Sequence, residues 1–241
     1  MNIFTDKKLH PGFDKSIKGH YAGFYDTVYV ALMPFFKIAN TNRVYSYEDG
    51  TLPDEQTMLK SGSAISWEVV KTDVGFENIG DMQKALKTFI GSYKKVFERD
   101  DLVKKLSEYI IPNQIFISEE GTFDVWSKIK ILNAFKLLNK TLIVIEDEYY
   151  SKKIELDITE ITNEKFIETI KFKDYYIYDI NKEILFSIGW DDFFFLICSS
   201  SDNVEKITSN LNFEGFYCTD TTEAHWEFTP EEIKKILGFA Q

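Results

Sequence analysis

A chain of 241 residues is long enough to bury a substantial core, either as one large domain or as two small ones sharing an interface. Hydrophobic residues at 44% and aromatics at 16%, with 21 Phe and 13 Tyr, exclude a disordered chain, which would lack the apolar area to offset its ordering entropy. Lys plus Arg number 28 against 39 Asp plus Glu, a formal net charge of -11. Such a field repels phosphate backbones and anionic membranes, so neither nucleic acid nor a membrane is expected as a partner, whereas a basic protein would be attracted and steered.

Cys198 and Cys218 stand in strand-like surroundings without metal-type spacing and read as small buried hydrophobes of a reducing compartment, with a disulfide as the lesser alternative. The first eight residues, Met1-Asn2-Ile3-Phe4-Thr5-Asp6-Lys7-Lys8, hold no apolar core of signal-peptide length. No apolar run approaches the roughly 18 residues that a membrane span needs. The expected location is cytoplasmic.

In chain order, the aromatic residues Phe13, Tyr21, Phe24 and Tyr25 lead into a short apolar run over 27–33, strand or helical turn, stopped by Pro34. Asn40-Thr41-Asn42 and Glu48-Asp49-Gly50 are turn chemistry, and Thr51-Leu52-Pro53-Asp54 has the form of a helix start, a cap followed three positions later by an acid. Ser66 can cap a short helix carrying Trp67 and Val70 that ends near Gly75. Met82, Leu86, Phe89, Ile90, Tyr93 and Phe97 recur at steps of three and four, which predicts one long amphipathic helix after Gly80-Asp81. Asp100 or Asp101 can cap a helix with Leu102, Val103, Leu106, Tyr109 and Ile110 facing inward until Pro112.

Val125, Ile129, Leu132 and Phe135 predict a further helix, and 141–145 a buried strand closed by Glu146-Asp147-Glu148. Residues 154–158 alternate like a half-buried strand, and Asn163 can cap a helix to Ile170. Three strands follow at 175–180, 184–188 and 193–199, with Asn181-Lys182 as a hairpin turn and Gly189-Trp190-Asp191-Asp192 at the second turn. Asp202 can cap a helix bearing Val204, Ile207 and Leu211, and 216–218 is another short strand. Thr229-Pro230-Glu231-Glu232 is a complete capping box opening a last helix that Gly238 ends.

These elements predict an α+β fold, a mainly helical N-terminal half packed on an antiparallel or mixed sheet from the C-terminal half. The chain reads as a single domain over 1–241, with 1–140 and 141–241 as its only suggested internal division. Alternation places Trp190, Phe194, Leu196 and Cys198 on one face of the last of the three strands and Phe193, Phe195 and Ile197 on the other. With apolar residues on both faces, that strand is expected to be central and covered on each side.

At Ser66-Trp67-Glu68-Val69-Val70, Phe89-Ile90-Gly91-Ser92-Tyr93-Lys94-Lys95 and Gly189-Trp190-Asp191-Asp192-Phe193 the chain resembles an uncharacterised bacterial family, domain of unknown function 2711. The resemblance spans most of the chain. It implies a small cytoplasmic bacterial protein with no assigned activity, and it carries over no catalytic residues.

No nucleotide-binding loop, zinc signature, catalytic triad pattern or nucleic-acid motif occurs, so no cofactor is expected. The densest polar cluster is 220–227, where Asp220, Glu223, His225 and Glu227 surround Trp226. If Trp226 lies in a strand, His225 and Glu227 project to one face, the arrangement that acid/base work by His225, Glu223 and Glu227, or a metal on Asp220, His225 and Glu227, would need. A solvated loop before the last helix explains the same residues. Asp191 and Asp192 suit a tight turn, and Trp190 and Trp226 suit either core anchors or an aromatic binding patch. The leading expectation is a non-enzymatic binding protein, immunity-like or inhibitor-like toward a basic protein partner, with Trp190, Asp191, Asp192 and Trp226 as candidate binding residues. A hydrolase built on the 220–227 cluster is the alternative.

Overall fold

Apolar runs too short for a helix and separated by tight turns bury themselves by pairing, and here they form a seven-stranded antiparallel sheet. The computed structural model describes residues 2–12, 15–39, 45–47 and 50–236. In chain order the elements are α1 (Ile17–Tyr21), β1 (Thr27–Leu32), β2 (Phe35–Ile38), α2 (Glu55–Ser61), β3 (Gly62–Ile65), α3 (Trp67–Val74), α4 (Ile79–Phe89), α5 (Asp100–Ile110) and α6 (Val125–Leu137). There follow β4 (Leu142–Glu146), β5 (Lys153–Asp157), α7 (Asn163–Thr169), β6 (Tyr176–Asp179), β7 (Leu185–Ile188), β8 (Phe194–Ser199), α8 (Ser201–Leu211), β9 (Gly215–Tyr217) and α9 (Pro230–Ile236).

The chain divides into two compact units, one of Met1–Met33 with Glu119–Ala224 and the other of Pro34–Ser118 with His225–Gln241. The fold is α+β with antiparallel pairing, but helices and strands are interleaved along the chain rather than gathered into halves. The reason is β1: this N-terminal strand pairs with β8 and with β9, so the sheet draws on both ends of the first unit. Among the described residues no helix is long and apolar enough to cross a membrane.

In the first unit the strand order is β5-β4-β6-β7-β8-β1-β9. On one face α6 packs against α7 and α8, and Phe135 meets Phe186 edge-on at 5.3 Å. Phe195 joins that face through Phe123 at 5.3 Å. Alternation sends Cys198 to the opposite face, where it meets the buried phenol of Tyr21 from α1. β8 is buried along its whole length between β7 and β1, as a central strand with two covered faces must be. Trp190 departs from the expected pattern. It sits in the turn before β8, outside the ladder that would have set its direction, and is 52% exposed.

In the second unit β2 pairs with β3, while α3, α4 and α5 pack together. Ser66 caps α3 by accepting from the amide of Val69, as its position in the chain suggests. The long helix expected from Met82 to Phe97 stops at Phe89. Gly91 takes the left-handed conformation (φ 71°) in which the amides of Gly91 and Ser92 return to the carbonyls of Thr88 and Lys87, and this ends the helix before the apolar spacing does. Tyr93 and Phe97 still reach a common apolar cluster with Phe228, from beyond the helix. Three caps differ by a residue or more: Asp54 rather than Thr51 caps α2, Thr162 rather than Asn163 caps α7, and Ser200 rather than Asp202 caps α8. At α5 the cap position is Arg99, and Asp100 and Asp101 lie inside the first turn, where the helix dipole favours acids. The capping box forms reciprocally: the Thr229 amide donates to Glu232 at 2.7 Å and the Glu232 amide to the Thr229 hydroxyl at 3.1 Å. Phe13, the turns at Asn40-Thr41-Asn42 and Glu48-Asp49, and Gly238 lie outside the described residues.

Candidate functional site

Antiparallel register brings Glu146, Lys153, Tyr176, Ser187 and Ile188 to one end of the first unit's sheet. The loops 147–152, 170–175 and 189–193 therefore meet there. Loops on a rigid sheet are where recognition groups usually sit. The Asp147 carboxylate accepts from the amides of Ser151 and Lys152 and from the Ser151 hydroxyl, which ties the first loop shut. Burial alone would raise the Asp147 pKa, but these donors outweigh it and hold the carboxyl below its ordinary value. The Glu148 amide donates to the Lys173 carbonyl at 2.9 Å, and Lys152 pairs with Asp174 at 2.9 Å, so the first two loops are joined.

This scaffold presents three large rings to solvent: Tyr149 at 62%, Phe172 at 59% and Trp190 at 52% exposure. They are not scattered. The Lys173 ammonium lies 5.3 Å from the centroid of Tyr149, 5.7 Å from Phe172 and 4.6 Å from Trp190, within the distance at which a ring's negative face attracts a cation. Lys173 itself adopts φ 72°, and it also pairs with Glu148 at 3.6 Å. Acids surround the same spot: burial first, then the charges of Glu148, Asp191 and Asp192, push the Tyr175 phenol above its ordinary range. The arrangement is an aromatic cage with an acidic border, and the chain's own lysine occupies it.

Asp192 also meets His10. His10 is held between the Ser187 hydroxyl, 2.8 Å from Nδ1, and the Asp192 carboxylate, 3.5 Å from Nε2. The residue types are those of a nucleophilic triad, but Ser187 is fully buried on β7 and presents no nucleophile to a ligand. The set orients an imidazole. Gly189 makes room for it: a Cβ there would lie 2.7 Å from His10 Nε2 and would collide with the Asp192 carboxylate.

The 220–227 cluster divides between the two units. Asp220 is exposed and pairs with Lys18 at 2.6 Å, and Glu223 is exposed, both in the first unit. His225 and Glu227 belong to the second unit and meet at 3.7 Å. Trp226 sits between them, half-buried in a turn rather than a strand. Glu227 is a buried clamp: Tyr93 donates its hydroxyl to Oε1 and the Lys87 ammonium lies 4.0 Å away, which ties the segment after 224 to α4. Among the described residues no group of three His, Cys, Asp or Glu side chains converges to hold a metal ion. Tyr149, Phe172 and Lys173 received no functional reading from the sequence. The aromatic-acid run Glu146-Asp147-Glu148-Tyr149-Tyr150 is the signal that marks the first of them.

The fold and this loop cluster define an α+β protein with an antiparallel sheet and a cation-holding aromatic surface at one end of it. The chain belongs to the family described as Protein of unknown function (DUF2711), whose profile matches residues 14–228. It is similar to Uncharacterized protein YwbB of Bacillus subtilis (strain 168), 24% identical over 208 residues, covering 84% of this chain and 90% of that protein. No solved structure matches.

Proposed function

We propose that this chain is a non-enzymatic binding protein of the bacterial cytoplasm whose cage of Tyr149, Phe172 and Trp190 takes a lysine or arginine from a basic protein partner. The observation that carries this reading is the convergence of three exposed rings on one ammonium. Such a surface is complementary to a cation, and Lys173 holds the place that a partner's side chain would take. The formal charge of -11 adds long-range attraction for a basic protein, and exposed aromatic anchors supply contact energy once it arrives. Burial of Ser187 favours binding over catalysis.

An octalysine peptide titrated into the full chain by calorimetry at low salt tests the reading. Trp190→Ala should weaken binding by about tenfold, the effect of losing roughly 1.4 kcal/mol. Lys173→Ala opens the cage and should tighten binding a few-fold. If Trp190→Ala and Tyr149→Ala both bind the peptide as the parent does, attraction is diffuse charge alone and the cage is not the site.

A further inference from the structure

Glu148 and Tyr150 also line a cavity of about 380 Å³, within the size range of small-ligand sites. Its lining carries Lys7, Lys8 and Lys15 with His10 and His20, and among the described residues Glu148 is the one carboxylate there. That is a positive pocket in a chain of formal charge -11. Among the described residues Lys7, Lys8 and Lys15 make no ion pair, in contrast to Lys18, Lys152 and Lys173 nearby in the fold. Three unneutralised ammonium groups around one concavity repel one another, and an anion relieves that repulsion.

The walls are built, not fortuitous. The Tyr150 ring stacks on Tyr176 at 5.0 Å, and its hydroxyl accepts from the Leu9 amide at 2.8 Å, which fastens the N-terminal segment along the cavity. His20 Nε2 donates to the Lys8 carbonyl at 2.8 Å, and His10 is fixed between Ser187 and Asp192. Lys7 and Tyr150 both adopt positive φ, 54° and 56°, a conformation that bulky side chains rarely occupy without cause. The Glu148 Oε2 is buried with no hydrogen-bond donor, although Lys173 pairs with it at 3.6 Å. Glu148 keeps 19% of its side chain exposed and lines the cavity, so a ligand hydroxyl can approach its carboxylate.

We infer that this cavity binds a small hydroxyl-bearing phosphate ester, with the phosphate among Lys7, Lys8 and Lys15 and a ligand hydroxyl on Glu148. Lysines bind phosphate as point charges, and a phosphate ester, with close to two negative charges at neutral pH, answers several ammonium groups better than a singly charged carboxylate does. The stacked tyrosines form the wall for the organic part. This site attracts the opposite charge from the cage, and the two share Glu148, which pairs with Lys173.

Glucose 6-phosphate, adenosine 5′-monophosphate, inorganic phosphate and glucose are titrated separately into the full chain by calorimetry. At least one ester should bind saturably and more tightly than inorganic phosphate, while glucose gives no heat of binding. Lys7→Ala/Lys15→Ala, both at exposed positions, should weaken the ester by about tenfold or more, as loss of charge-assisted contacts does. The charge-matched control Lys104→Ala/Lys153→Ala should leave it unchanged, and Glu148→Gln should erase the preference for ester over inorganic phosphate. Absence of saturable binding by either ester, or equal weakening in the control, overturns the site. Esters bound no better than inorganic phosphate overturn the ligand class.

Discussion

Gly189 shows how one missing side chain sets the geometry of the candidate site. The turn from β7 to β8 must bring the Asp192 carboxylate toward His10 Nε2, and both groups occupy the space where a Cβ would stand. Gly189→Ala should therefore cost about 1–3 kcal/mol, the usual range for overpacking, and should part His10 from Asp192. Urea unfolding gives the first quantity and the nitrogen shifts of His10 the second; a stability change below about 0.5 kcal/mol, typical of surface positions, would mean the turn relaxes without cost. The cysteines lead to a second expectation at this scale. Burial is the first cause raising both thiols, Cys198 well above its ordinary value and Cys218 to about 12. Since the thiolate is the reactive form, a raised pKa keeps both thiols protonated and inert near pH 8. Ellman's reagent should label neither in the native protein and both after unfolding. Rapid native labelling at either position would contradict their burial.

Elements were legible where a local pattern and a long-range requirement agreed. The run 193–199 reads as a strand from its composition, and its burial on both faces follows from alternation of apolar residues with no polar face left over. Thr229-Pro230-Glu231-Glu232 is equally self-contained, because both bonds of the box lie within four residues. Spacing misled at α4, since Tyr93 and Phe97 keep the helical step but fold back after Gly91 to meet Phe228, far along the chain. The site was hidden for the same reason. His10 and Ser187 are separated by 177 positions, and nothing local in either segment announces the other. The cage was half visible, because the Gly189-Trp190-Asp191-Asp192 turn drew notice, while Phe172 and Lys173 sit in an unremarkable loop. A test of the strand assignment is Phe194→Ala, which should cost about 3–5 kcal/mol in denaturant unfolding if β8 is the central strand described. A loss under about 1 kcal/mol would place that side chain at the surface.

At the scale of the whole molecule, the chain leaves its first unit after Met33, builds most of the second, returns at Glu119 and crosses again at His225. The final crossing explains why the last segment carries so many buried anchors. Phe228 packs edge-on to Tyr93 at 5.4 Å and to Phe97 at 5.5 Å, and Lys84 lies 5.1 Å from its ring while pairing with Glu232 at 2.7 Å. Every one of these partners belongs to the second unit. Phe228→Ala should remove about 3–5 kcal/mol of packing, the range for a buried aromatic, and the loss should fall on that unit. Hydrogen exchange resolves the question, because it reports the opening energy of each segment separately. Amides of α4 should exchange roughly 100-fold faster or more, since each 1.4 kcal/mol is tenfold, while those of β8 keep their protection. Equal acceleration of α4 and β8 would show instead that the two units open as one, and that the segment after Ala224 holds the entire chain rather than the unit it joins.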